Sequence, residues 1–171
     1  MGCEDTLLLL GGLDDRLSGG VRTRGPLFMG LASNEPGPGA DCVSVERQNK
    51  ARVFIVEDQD FIRELYKDVF ESAGLTVFSA SNGDEAINIF KTLSCKPDII
   101  IMDHRMPGKD GIETTQELLK LDPSVPIIFS SADVTVRERA LEAGAVSFWA
   151  KPFPCSLLVS AILDIVEARK R

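Results

Sequence analysis

Residues 98–111 read DIIIMDHRMPGKDG and join a strand, a carboxylate and a turn. The four residues 99–102 are all apolar, which is typical of a strand covered on both faces of a parallel sheet. Asp103 ends this run, and the Pro107-Gly108 pair that follows predicts a turn. Because a buried charge is costly unless it is paired or bound to a metal, we expect Asp103 to find partners elsewhere in the chain.

The composition is that of a chain with a packed core. Of its 171 residues, 44% are hydrophobic and 26% are charged, which suits one domain plus an extension. The net charge of -7 argues against a nucleic-acid partner. No apolar run approaches the ~18 residues of a membrane span. The four cysteines show no zinc spacing, so we expect reduced thiols and a cytoplasmic location.

Residues 1–50 differ in composition from the rest of the chain. They hold nine of the 14 glycines and three of the nine prolines, without sustained periodicity. This pattern predicts a flexible or disordered extension, with the folded domain at 51–171. The first residues, MGCEDT, also fit a myristoylation pattern, but the motif is short, and lipidation of Gly2 or Cys3 stays open.

Beyond residue 50, short apolar runs alternate with segments of helical spacing. The apolar, β-branched runs predict strands at 52–56, 75–80, 97–102, 125–130 and 145–150. The helical spacing predicts helices at 61–74, 82–90, 111–121, 134–144 and 155–170. Five strands alternating with five helices predict an α/β fold with a parallel sheet and helices on both faces. In such sheets the functional site lies beyond the carboxyl ends of the strands.

Charged and hydroxyl side chains follow four of the five predicted strands, and they are Glu57, Asp58, Asp103, Ser130, Ser131 and Lys151. Clustered carboxylates repel one another, and a hard divalent cation relieves that repulsion. Oxygen ligands without a nearby histidine or cysteine pair favour Mg²⁺. A carboxylate can act as a nucleophile on phosphorus, while Mg²⁺ and a lysine neutralise charge on the phosphoryl oxygens.

Four motifs carry a resemblance to a known family: VEDQ at 56–59, MDHRMPGKDG at 102–111, SSA at 130–132 and KPF at 151–153. In this order and at strand ends, they resemble the receiver domain of two-component response regulators, in its stand-alone, CheY-like form. The resemblance covers residues 51–171. It implies a flavodoxin-like fold, in which five helices flank a five-stranded parallel sheet of order 2-1-3-4-5.

The resemblance also implies roles for the acidic residues. Asp103 would be the phosphoacceptor and a ligand of Mg²⁺. Asp58 would bind the metal directly, Glu57 mostly through water, and Arg105 through its backbone carbonyl.

On the other side of the site, Lys151 would contact a phosphoryl oxygen, and Ser131 would be the hydroxyl that closes on the phosphoryl group. Phe148 would be the aromatic side chain that moves with the switch, and Pro152 would follow a cis peptide bond. Serine and phenylalanine replace the threonine and tyrosine that are commoner in the family, which could alter the bias of the switch.

The implied function is a phosphorylation-activated switch that accepts its phosphoryl group from a histidine kinase or phosphotransfer protein. Such a protein catalyses only its own phosphorylation and dephosphorylation. The signal would leave through the face formed by the fourth helix, fifth strand and fifth helix, toward a downstream protein or a second copy of the chain. We expect Val134, Val136 and apolar residues within 157–166 to contribute to that face.

Two other functions are compatible with some of these residues. A Mg²⁺-dependent phosphatase with an aspartate nucleophile would usually carry a second acid two residues later, where this chain has Arg105. A scaffold that never takes phosphate would normally lack one of Asp58, Asp103, Ser131 and Lys151, and all four are present.

The neighbours of the site residues allow three further expectations. Adjacent strand residues face opposite ways, so only one of Ser130 and Ser131 can face the site. By the same alternation His104 points away from Asp103, which argues against a relay role. Arg105 and Asp133 have opposite charge and are expected to pair across the phosphoryl group, where they would hinder attack by water.

Overall fold

The structure is a computed structural model that describes residues 50–171. Its strands are β1 (Arg52–Val56), β2 (Thr76–Ala80), β3 (Ile99–Asp103), β4 (Ile127–Ser131) and β5 (Ser147–Ala150). Its helices are α1 (Asp60–Ser72), α2 (Gly83–Thr92), α3 (Gly111–Leu121), α4 (Arg137–Glu142) and α5 (Cys155–Lys170). The expected flexibility of the N-terminal extension and the question of lipidation at Gly2 and Cys3 lie outside the described residues.

All five strands are parallel, in the order β2-β1-β3-β4-β5, so the predicted α/β fold and strand order are confirmed. The sheet is edged by β2 and β5, and β3 lies between β1 and β4. In the register, Val56 is opposite Met102, and Asp103 is opposite Ser130. The carboxyl ends of β1, β3, β4 and β5 therefore meet along one edge of the sheet.

Each face of the sheet packs against its own hydrophobic core. One core joins Phe54, Ile100 and Phe129 to side chains of α2, α3 and α4. The other joins Ile55 and Ile101 to side chains of α1 and α5. Since neighbouring strand residues alternate between the two cores, every position of a central strand has to be apolar. This explains the unbroken apolar run at 99–102.

Several element boundaries differ from the prediction by one to three residues, and two of these differences have a clear physical cause. β4 begins at Ile127 rather than 125, because Pro126 has no N–H to give to a strand ladder. The predicted helix at 134–144 begins instead as a 3₁₀ turn, Val134–Val136, and is α-helical only in α4. The three β-branched residues of that turn disfavour the α-helix, and the Asp133 carboxylate accepts a hydrogen bond from the Thr135 N–H at 3.0 Å.

Two expectations from the composition can be compared with the described residues. Cys155 is a free thiol, as expected, whereas Cys3 and Cys42 lie outside the described residues. Among residues 50–171, the longest and most apolar helices still fall short of what a membrane crossing requires.

An ion pair connects the start of β1 to the residue before β3, at the end of the strands opposite the site. The guanidinium of Arg52 donates to both oxygens of Asp98, at 3.1 and 2.9 Å, and the Arg52 N–H donates to Asp98 Oδ2 at 2.8 Å. Arg169 of α5 donates to the Asp98 carbonyl at 3.1 Å. Burial would raise the pKa of Asp98, but the bonds from Arg52 outweigh it and hold that pKa below its usual range.

We predict that Asp98→Asn lowers the free energy of unfolding at pH 7 by about 1.5 kcal/mol, the lower end of the scale for hydrogen bonds to charged groups, because both side chains are partly exposed. Because the folded pKa is lowered, this stabilisation is present above the unfolded pKa of about 3.9 and is lost as the pH falls through the folded value. The difference between wild type and variant should therefore shrink below pH 4. Urea unfolding at pH 7 and pH 3.5 measures it.

The control for this experiment is Asp164→Asn, which removes the same charge from an exposed position on α5. It should leave the free energy of unfolding within about 0.5 kcal/mol of the wild type. An Asp98→Asn difference that stays the same at both pH values would contradict the role of the ionised carboxylate.

Candidate functional site

Three carboxylates come together at the carboxyl edge of the sheet. Glu57 and Asp58 follow β1, and Asp103 is the last residue of β3. One oxygen from each of the three lies within 4.8 Å of the others. Glu57 is only 1% exposed and Asp103 only 7%, so their mutual repulsion is weakly screened by water.

Lys151 provides the positive charge at this cluster. It follows β5, and its N–H donates to the Ser131 carbonyl at 2.9 Å, continuing the pairing of β5 with β4. Its Nζ donates to Glu57 Oε2 at 2.7 Å and to Asp103 Oδ1 at 2.5 Å. One ammonium therefore bridges the ends of β1 and β3 from the far side of β4.

The pKa values of this cluster follow from burial and pairing. Burial raises the pKa of Glu57, and the neighbouring carboxylates add to that effect, whereas Lys151 opposes it. Burial opposes the charged form of Lys151, but its hydrogen bonds to Asp103 and Glu57 outweigh that cost and raise its pKa. The lysine is therefore held as an ammonium.

The site also contains acceptors that protein groups do not satisfy. Glu57 Oε1 and Asp58 Oδ1 are buried and have no hydrogen-bond partner among the described residues. Such atoms need a partner, and three carboxylates with one ammonium leave an excess of negative charge. Oxygen donors of this kind suit Mg²⁺, so the residues present fit the predicted metal.

A cleft of about 420 Å³ opens over the cluster, lined by Gln59, Asp103, Arg105, Ser131, Ala132, Asp133 and Lys151. Ser131 faces this cleft, and its Oγ accepts a hydrogen bond from the Asp133 N–H at 3.0 Å. Ser130 is fully buried, and its Oγ points to the Met102 carbonyl at 3.5 Å. As expected from strand alternation, only one of the two serines reaches the site.

Arg105 contacts the site through its backbone and its side chain. Its N–H donates to Asp103 Oδ2 at 2.7 Å, which fixes the second oxygen of that carboxylate. Its guanidinium donates to Asp133 Oδ2 at 3.1 Å, so the predicted pair is formed. Hydrogen bonds from Thr135, and then from Arg105, hold the pKa of Asp133 below its usual value.

The loop after Asp103 is held in a tight path. The Gly111 N–H donates to the His104 carbonyl at 2.9 Å, and a Cβ at Gly111 would lie 2.0 Å from the Asp103 carbonyl oxygen. Gly108 has a φ of 79°, which is the left-handed region that the Pro107-Gly108 turn needs. Only glycine at position 111 lets the start of α3 approach the phosphoacceptor candidate this closely.

The aromatic residues near the site lie on both sides of β5. Phe148 is half-buried and stacks on Phe129 at 6.2 Å between ring centroids, whereas Trp149 packs edge-on against Phe153 at 5.3 Å. His104 lies against Phe129 at 5.9 Å and does not line the cleft, as predicted. The peptide bond between Lys151 and Pro152 is cis.

Sequence reasoning missed two residues of this region. Gln59 lines the cleft, and the only sequence signal for it is its position directly after the two acids. Arg63 contacts the backbone of the same loop, and nothing in the residue pattern marks it apart from its place in the first turn of α1.

We predict that Glu57→Gln stabilises the protein in the absence of metal, by roughly 1–3 kcal/mol. Glutamine keeps an oxygen for Lys151 and removes one of three mutually repelling charges, two of which are buried. Urea unfolding at pH 7 in chelator measures the effect. Since glutamine is a poorer metal ligand, adding Mg²⁺ should raise the free energy of unfolding of the wild type more than that of the variant.

Glu113→Gln is the control, because this exposed carboxylate belongs to the capping box of α3 rather than to the cluster. A wild type that is more stable than Glu57→Gln without metal would show that the three charges are already well compensated.

Comparisons of the sequence and of the structure with known proteins point to the same family. The family model of the response regulator receiver domain matches residues 53–163. The chemotaxis protein CheY of Thermotoga maritima is 42% identical over 114 residues, which cover 65% of this chain and 93% of that protein. A structure of the response regulator TrrA from Thermotoga maritima, in complex with Mg²⁺ and BeF, is 30% identical with a TM-score of 0.61, covering 67% of this chain and 98% of that chain.

Some relatives are longer than the matched region. The probable transcriptional regulator ycf27 of Guillardia theta is 39% identical over 128 residues, or 74% of this chain but only 49% of that protein. The chain thus spans about half the length of this relative, whereas it spans nearly all of the CheY protein.

Proposed function

The chain belongs to the response regulator receiver domain family of two-component systems, and from that premise we propose that Asp103 is the phosphoacceptor of a phosphorylation-activated switch. The observation that supports this most directly is the bridge that Lys151 Nζ makes to Glu57 and Asp103 beneath an open cleft. The phosphoryl donor would be a histidine kinase or a phosphotransfer protein. We propose that the receiver occupies residues 51–171.

Access distinguishes Asp103 from the other two acids. Asp103 lines the cleft together with Ser131 and Lys151, whereas neither Glu57 nor Asp58 does. A carboxylate oxygen of Asp103 attacks phosphorus, and the P–N bond to the donor imidazole breaks. The imidazole leaves with the bonding electron pair and takes up a proton, and Asp103 becomes an acyl phosphate.

The metal site would be Glu57, Asp58, Asp103 and the backbone carbonyl of Arg105. We propose that Asp58 binds Mg²⁺ directly and that Glu57 acts mostly through water. When bound, Mg²⁺ supplies positive charge to the phosphoryl oxygens as the transfer proceeds. The unpartnered Glu57 Oε1 and Asp58 Oδ1 support this assignment.

Lys151 would hold the transferred group through its charge. Because its raised pKa keeps it protonated, its ammonium can move from the Asp103 oxygen to a phosphoryl oxygen while Glu57 remains its second partner. The Ser131 hydroxyl accepts a bond from Asp133 and keeps its own proton to donate to the phosphoryl group. Both residues thereby favour the phosphorylated state.

The same movement offers a route to the surface. Ser131 ends β4, and Phe129 in that strand is paired with and stacked on Phe148 of β5. We propose that closure of Ser131 shifts Phe148 and reshapes the face formed by α4, β5 and α5. That face exposes Val134 (60%) and Leu157 (56%) to a downstream protein or a second copy.

Not every residue expected on this face contributes to it. Val136 is only 5% exposed, so its expected exposure is wrong. It turns inward from the 3₁₀ turn and packs with the core beneath α4. The buried residues of α5, Leu158, Ile162 and Val166, belong to the opposite core.

The two alternative functions have less support. A phosphatase would need an acid two residues after the nucleophile, but Arg105 occupies that position and its guanidinium pairs with Asp133. A scaffold without phosphorylation would not need Asp58, Asp103, Ser131 and Lys151 in one place. We propose that the protein acts on no substrate other than its own phosphoryl group.

The main test uses beryllofluoride, which mimics a phosphoryl group, together with Mg²⁺. At 100 times its dissociation constant, such a ligand should raise the free energy of unfolding of the wild type by about 2.7 kcal/mol. Asp103→Ala removes the oxygen that the mimic would bond, so its midpoint of thermal unfolding should not rise beyond the effect of Mg²⁺ alone.

Asp164→Ala serves as the matched control, because it removes an aspartate from the exposed surface of α5 and should respond as the wild type does. A wild type that shows no rise with beryllofluoride, or an Asp103→Ala variant that rises equally, would contradict the assignment of Asp103.

A second prediction concerns the lifetime of the phosphoryl group. Arg105 and Asp133 face each other across the cleft mouth, where their pair would hinder attack by water. We expect Arg105→Ala to dephosphorylate about two- to five-fold faster, a small factor because an exposed ion pair is a weak interaction. Phosphate release after loading with acetyl phosphate measures the rate.

The comparison variant is Arg137→Ala, which removes an exposed arginine at the start of α4, away from the cleft. Its rate should equal that of the wild type. Equal half-lives for Arg105→Ala and the wild type would show that the Arg105–Asp133 pair does not hinder attack by water.

A further inference from the structure

Arg63 lies in the first turn of α1 and points back toward the end of β1. Its Nη1 donates to the Glu57 carbonyl at 2.8 Å and makes a longer bond to the Asp58 carbonyl at 3.4 Å. Its Nη2 pairs with the Asp60 carboxylate. The Arg63 side chain is only 15% exposed, so most of a charged group is placed beneath the loop that carries two acids of the site.

Among the described residues, no side chain caps the helix that this loop enters. The N-cap residue of α1, Gln59, makes no side-chain capping bond. By contrast, the N-cap residues of α2 and α3, Asn82 and Asp110, each accept a bond from a backbone N–H of the first turn. Arg63 cannot accept such a bond, but its guanidinium ties the first turn of α1 to the preceding loop by donating to the carbonyls of that loop.

The bonds to the two carbonyls affect where the carboxylates lie. The carbonyls of Glu57 and Asp58 sit one bond from the Cα atoms that bear the two acidic side chains. Rotation of either peptide plane would swing a carboxylate away from Asp103. Nη1 donates to both carbonyls while Nη2 of the same planar group holds Asp60, so the guanidinium fixes the loop relative to α1 in a geometry that a flexible lysine ammonium does not impose.

We propose that Arg63 is a positioning residue for the metal site: by fixing the peptide planes of Glu57 and Asp58, it sets the affinity of the three-carboxylate cluster for Mg²⁺. This inference rests on the proposed function, because that function assigns the cluster to Mg²⁺. Arg63 itself does not touch the metal, since its donors are engaged with the backbone and with Asp60 on the other side of the loop.

The test measures the dissociation constant for Mg²⁺ by calorimetry on the full chain at a temperature where each variant is folded. Arg63→Met keeps the apolar stem and removes all donors, and we expect it to weaken Mg²⁺ binding about 10-fold or more, as is usual for groups that orient metal ligands. Arg63→Lys keeps the charge but not the fork, and its affinity should fall between those of Arg63→Met and the wild type.

Arg52→Met is the matched control. It also removes a partly buried arginine, but one whose guanidinium bonds to the carboxylate of Asp98 at the opposite end of the strands. It should lower the midpoint of thermal unfolding in chelator and leave the Mg²⁺ affinity of the folded protein unchanged. If Arg63 contributed only to stability, Arg63→Met would likewise lower the midpoint of thermal unfolding and leave the Mg²⁺ affinity unchanged.

The outcomes separate this inference from the proposed function. Wild-type affinity in Arg63→Met, or in Arg63→Lys where the methionine variant does not fold, overturns the positioning role and leaves the Mg²⁺ site intact. A wild type that binds no Mg²⁺ overturns both. Weakened binding in both Arg63 variants with unchanged binding in Arg52→Met supports the inference.

Discussion

The repulsion among three carboxylates is the constraint on which the rest of this site depends. Glu57, Asp58 and Asp103 gather within 4.8 Å because the neighbouring parallel strands β1 and β3 end at one edge, and Lys151 is the ammonium that bridges two of them. Its position on the far side of β4 ties β5 to the middle of the sheet. The remaining negative charge favours a cation at this edge, and under the proposed function stability without metal is given up for its binding.

Much of this arrangement could be predicted from the residue pattern. A run of four apolar residues indicated a strand buried on both faces, and alternation with helices indicated a parallel sheet, whose carboxyl edge had to collect the polar residues. Asp103 and Lys151 were predicted because each interrupts or follows such a run. These inferences succeeded because they depend on periodicity and strand direction, which short segments of sequence encode directly.

The sequence could not predict features that depend on where side chains turn in three dimensions. Arg63 looks like any polar residue in an amphipathic helix, yet its guanidinium folds back onto the preceding loop. Asp98 meets Arg52 across 46 residues, and no local pattern marks that pair. Val136 was expected at the surface because the segment was predicted as a regular helix, and the 3₁₀ turn rotated it into the core.

The order of the strands also places Asp103 on an interior strand and Lys151 after an edge strand. β3, which carries Asp103, is hydrogen-bonded on both sides, so the proposed phosphoacceptor stands on an interior strand of the sheet. β5 has a neighbour on one side only, and a displacement there breaks no second ladder. A fold of this kind can hold its site on interior strands while its border strand remains free to move, which separates the place of the proposed chemistry from the place of the proposed response.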